Sequence, residues 1–96
     1  MGDRVSISFK KGNEGSVVLF SHWGGMGFVE AAREYAAMLP RGSTLTPLDR
    51  HEPRTVMVDF IRHMTQKLVA VTGDLYLGAT PADVDNSDNG HHVILV

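Results

Sequence analysis

Ser21 and His22 stand side by side in Leu19-Phe20-Ser21-His22-Trp23-Gly24-Gly25-Met26-Gly27, the stretch of this 96-residue chain with the most reactive groups. A hydroxyl beside an imidazole invites nucleophilic catalysis, in which the ring takes the hydroxyl proton. The β-branched and aromatic residues before the pair place it on a strand, however. Strand neighbours point to opposite faces, so the two groups meet only if the strand ends before Ser21. Nor is there a nucleophile elbow, because Leu19 and Trp23 occupy the positions where Gly-x-Ser-x-Gly needs glycine. No catalytic residue is assigned, and the balance leans away from an enzyme.

The glycines that follow permit a different chemistry. Backbone N–H groups at a helix start attract anions, and glycine lets a ligand come close. Here the third glycine of a dinucleotide fingerprint is replaced by Glu30, and no Lys follows the glycines as it does in a P-loop. Ser21, His22, Trp23, Gly24, Gly25 and Gly27 therefore form a candidate small-molecule or anion site, with Trp23 to stack and His22 to titrate. The plainer reading is a turn beneath a Trp packed in the core, with His22 orienting a neighbouring loop.

A second cluster is acidic. Asp85, Ser87 and Asn89 take the first, third and fifth positions of a calcium loop, with Gly90 at the sixth and Asp83 just before. Calcium ligation by Asp83, Asp85, Ser87 and Asn89 is an expectation from oxygen-donor chemistry. Val96 stands where the bidentate Glu would be, and an Asp/Asn/Ser/Gly run between strands is also an ordinary turn. Asp59 and His63 share a helical face and read as a surface pair, while His91 and His92 diverge as neighbours on a strand. No transition-metal set of three or four ligands is apparent, and no cofactor is expected.

Several elements must position these groups. Val5, Ile7 and Phe9 alternate with Ser6, Ser8 and Lys10, which predicts a half-buried strand. Lys11-Gly12-Asn13-Glu14-Gly15 reads as a turn into a second strand over residues 16–23, forming a hairpin. Val17, Leu19, Ser21 and Trp23 take one face of that strand; Val18, Phe20 and His22 take the other. Large apolar groups on both faces predict a central strand, and one of those faces is expected to meet a partner.

Residues 28–39 show helical spacing at Phe28, Ala31, Ala32, Tyr35, Met38 and Leu39, and Pro40-Arg41-Gly42 stops the helix. After a loop over residues 42–52, Pro53 opens a second helix with Met57, Phe60, Ile61, Met64 and Leu68 as its stripe, and Gly73 caps it. Residues 75–77 and 91–96 read as strands, joined by a polar loop over residues 79–90 that is long for a hairpin. The order β-β-α-α-β-β predicts one α+β domain over residues 1–96: a four-stranded, mainly antiparallel sheet with two helices on one face.

The run Leu19-Phe20-Ser21-His22-Trp23-Gly24-Gly25, followed later by Thr72-Gly73, resembles a motif of small uncharacterised prokaryotic and phage proteins. In those proteins an aliphatic–aromatic–Ser/His-His-Trp-Gly segment precedes a helix. The resemblance implies no activity and assigns no catalytic residue.

Composition bounds what remains. The net charge of −2 argues against generic nucleic-acid binding, and no apolar run reaches membrane-span length. There is no cysteine and no signal-like apolar core after Met1, which together favour a cytoplasmic protein. Charge is uneven: residues 74–96 hold Asp74, Asp83, Asp85 and Asp88 with no Lys or Arg, whereas residues 41–67 hold Arg41, Arg50, Arg54, Arg62 and Lys67. The leading expectation is a small non-catalytic interaction or regulatory module, as a homodimer or with a protein partner. A small-molecule or anion-binding protein using residues 21–27 is the alternative, and calcium binding at residues 83–90 the third.

Overall fold

The first strand, β1 (Val5–Lys11), turns at Gly12, whose φ of 59° suits glycine, into the short β2 (Glu14–Gly15). β3 (Val18–Ser21) then continues along the same edge of β1. These strands belong to a computed structural model that describes residues 2–39, 51–67 and 74–96. The register explains the break between β2 and β3. Lys10 pairs with Gly15, but Ile7 pairs with Leu19, so one extra residue lies on the second strand. This is a β-bulge at Ser16 and Val17. Ser16 N donates to Phe9 O, and Phe9 N donates to Ser16 Oγ, both at 2.9 Å. Thus the single strand expected over residues 16–23 starts after a bulge and ends two residues early, and Val17 is turned outward.

β4 (Leu75–Gly78) pairs antiparallel with β3, and β5 (His91–Leu95) pairs with the opposite side of β1 in parallel. Across the sheet the order is β5-β1-β3-β4, with β2 extending the line of β3. The architecture is α+β and the sheet mainly antiparallel, as its sequence predicts; the parallel β1–β5 pair is the departure from the hairpin pattern. It also accounts for the length of segment 79–90. β4 and β5 run in the same direction on opposite edges, so the chain must cross the sheet and come back along it.

α1 (Gly25–Ala37) and α2 (Pro53–Lys67) cover one face of the sheet. Their apolar stripes meet Val5, Ile7, Phe9 and Leu19, with the Phe60 ring 5.5 Å from Phe9 and 5.3 Å from Tyr35. Tyr35 donates its hydroxyl to Asp59, and burial followed by that bond pushes its pKa upward. Met38, expected in the apolar stripe of α1, is instead exposed. Segment 79–90 covers part of the other face, while Val93 and Leu95 of β5 stay exposed on it. Asn86 Nδ2 donates to Ser6 Oγ at 2.8 Å, and Asp83 packs over Gly78 beside Phe20. β3 is therefore buried on both sides, as its composition predicts, with the second cover drawn from its own chain. The predicted stops at Pro40-Arg41-Gly42 and Gly73, the loop over residues 42–50, Leu68 and Thr72 lie outside the described residues.

Candidate functional site

β3 leaves the ladder after Asp74, the residue opposite His22 in the β3–β4 register. His22 N donates to Asp74 O at 3.0 Å, and Trp23 N donates to Asp74 Oδ1 at 3.1 Å. The Ser21 hydroxyl donates to the same carboxylate oxygen at 3.2 Å and accepts from Gly24 N at 2.9 Å. With 1% of its surface exposed, Ser21 clamps the corner and offers no accessible nucleophile. Its partners are Asp74 and Gly24, while His22 engages a different group, Tyr76.

The glycines complete the turn. Gly25 adopts φ 55°, and a Cβ there would fall 2.1 Å from Asp3 Oδ2. A Cβ on Gly24 would fall 2.7 Å from both Phe28 Cβ and Ser21 Oγ. Gly27 has open space around it, so its lack of a side chain is not demanded by packing. Asp3 lies at the start of α1: Gly25 N donates to the Asp3 backbone carbonyl at 2.9 Å, and the Asp3 carboxylate lies beside Gly25. That carboxylate is held in place by Asn89 Nδ2 at 2.6 Å. A carboxylate this close to the helix start would repel a bound anion.

His22 lies on the sheet face of Phe20. The Tyr76 ring stacks on Phe20 at 5.7 Å, His22 sits 4.6 Å from Tyr76, and Trp23 sits 5.4 Å from His22. The Tyr76 hydroxyl and His22 Nδ1 are 3.3 Å apart. Partial burial raises the Tyr76 pKa. The row ends in Trp23, 55% exposed. This corrects the core role expected for the tryptophan. The cause is the early end of β3, which carries residue 23 out of the strand and off the core face.

The acidic segment is organised by Arg4. Its Nη1 lies 2.5 Å from Asp85 Oδ2 and its Nε 2.9 Å from Asp88 Oδ2, and its backbone N donates to Asp88 at 3.0 Å. The Asp88 carboxyl is held below the usual carboxylate range chiefly by the Arg4 guanidinium. Asp85 is lowered first by the Ser87 N–H, and Asp83 by the N–H groups of Thr80 and Ala79. Asn89 donates to Asp3 and Arg4. The four candidate calcium ligands, Asp83, Asp85, Ser87 and Asn89, are each turned to protein partners. Among the described residues no three His, Asp or Glu side chains gather as a metal set.

His91 and His92 diverge. His91 Nδ1 lies 2.8 Å from Ser6 Oγ and its Nε2 3.1 Å from Ser8 Oγ, whereas His92 Nε2 lies 2.8 Å from Asn89 O. Sequence reasoning missed Asp3, Arg4, Asp74, Tyr76, Asn86 and the Ser6–His91–Ser8 group. The one available signal was the length of segment 79–90, which is excessive for a hairpin and sufficient for a crossover.

A wide groove of about 940 Å³ lies at the far end of β1, between the Lys11–Gly15 turn and the start of α2 at Glu52, Pro53 and Arg54. It does not adjoin the 21–27 corner. Comparison with family models, with curated proteins and with solved structures finds no match to this chain. Among the described residues no helix is long and apolar enough to cross a membrane.

Proposed function

We propose that this chain is a non-catalytic interaction module and that Trp23 is its docking anchor. The observation that carries this reading is the contrast at one residue: the Trp23 backbone is fixed to Asp74, yet more than half of its surface is exposed. Pre-organised aromatic side chains are favoured as interface anchors, because little entropy remains to be lost when they are covered. Burying the rest of the ring would contribute on the order of 3 kcal/mol. The hydroxyl of Ser21 is buried and engaged by Asp74 and Gly24, which argues against covalent chemistry at the corner. A cytoplasmic setting, expected from the cysteine-free composition, belongs to the same reading.

A photoreactive side chain at Met26, beside the corner, tests the proposal while leaving Trp23 in place. Its control is the same group at Met38, which is exposed near the other end of α1. The expected result in cells is a discrete protein adduct from position 26 and none from position 38. Identical adduct patterns, or adducts only with small molecules, would contradict it.

A further inference from the structure

The uneven charge of the sequence has a spatial counterpart. Around the Tyr76–His22–Trp23 row stand the carboxylates of Asp3, Asp74, Asp85 and Asp88, against one guanidinium among the described residues, Arg4, which is already bound to Asp85 and Asp88. The outward side of α2 has the opposite character. Arg54, Val58 and Arg62 recur every four residues and so form one line along the helix. All three are exposed, Val58 at 67%, and neither arginine has a salt bridge among the described residues. The two guanidinium groups flank the valine over roughly 12 Å of helix.

These surfaces cannot meet within one molecule. α2 packs on the β1 face that carries Phe9, while Tyr76 stacks on Phe20, which faces the other way with Ser6. We propose that the Trp23 corner is the docking site for the outward face of α2 from a second copy of this chain. Trp23 then covers Val58, and Arg54 and Arg62 come to lie among the corner's carboxylates, where an arginine also gains from stacking on the indole. This rests on the reading of Trp23 as an anchor and names its partner. Because donor and acceptor surfaces differ, the contact is head-to-tail and repeats until a ring closes. The attraction between exposed charges makes it weaken with salt.

Sedimentation velocity on the wild-type chain, on W23A and on R54E/R62E tests this, with circular dichroism confirming that each variant is folded. In low salt the wild-type sedimentation coefficient is expected to rise with concentration and to fall back in high salt. Each variant alone is expected to remain a monomer, whereas an equimolar mixture forms a one-to-one dimer and nothing larger, since only one intact interface is left. A wild-type chain that stays monomeric up to millimolar concentration in low salt overturns the inference but leaves the anchor reading to the Met26 experiment. Variants that fail to associate when mixed, although the wild type does, also overturn it. Association of W23A as strong as that of the wild type also overturns the inference.

Discussion

The Ser21 hydroxyl joins three backbone segments: it accepts from Gly24, donates to Asp74 and sits at the last position of β3. Replacing it with alanine leaves the half-buried Gly24 N–H without an acceptor and removes the donor to Asp74, and S21A is expected to cost about 1–3 kcal/mol in urea denaturation. The glycines separate cleanly under the same assay. G25A places a side chain at φ 55° against Asp3 and should destabilise by roughly 2 kcal/mol or more. G27A fills open space within α1 and should stabilise by about 0.5–1 kcal/mol. At this scale the divergence of Ser21 and His22 was legible, because alternation alone separates them. The exposure of Trp23 was not. It depends on Asp74, more than fifty residues away, which accepts from two backbone N–H groups where the strand ends.

The elements hold a pH dependence of their own. His91 sits between Ser6 and Ser8 under the crossover, and burial, with a smaller contribution from the His92 charge, lowers its pKa below the ordinary 6.5. The folded chain therefore binds fewer protons at this site than the unfolded chain. The sign follows: stability is fully present above pH 6.5 and is lost as pH falls through the lower folded value. Urea midpoints should decline from neutral pH to about pH 5, and H91Q should flatten that slope. A second loss belongs at still lower pH, where Asp83, Asp85 and Asp88, all held below 3.8, take up protons. The alternation of Val5, Ile7 and Phe9 revealed β1, and Pro53 marked the start of α2. The parallel pairing of β5 with β1 escaped notice, since nothing local to His91–Leu95 states which edge it joins.

Taken as a whole, the molecule is a sheet with helices on one side and its own acidic crossover on the other. The two-sided apolar character of Val18, Leu19 and Phe20 correctly marked a central strand, and segment 79–90 supplies cover for its second side. Exposed apolar groups lie at the sheet's end, at Trp23, on the outward side of α2 at Val58, and on β5 at Val93 and Leu95. The charge imbalance between the two halves of the sequence was legible; that its poles lie on opposite faces required the fold. The account claims that Trp23 is left out of its own core and is covered by α2 of another copy. Since Trp23 is the only tryptophan, W23A is spectroscopically silent, and the R54E/R62E chain reports the corner alone. Titrating R54E/R62E with W23A in low salt while recording tryptophan emission tests this most directly. The expected result is emission typical of a water-exposed indole at the start, shifting to the blue and becoming shielded from acrylamide as W23A is added. Blue, shielded emission before any addition, or an unchanged spectrum at saturating W23A, would contradict it.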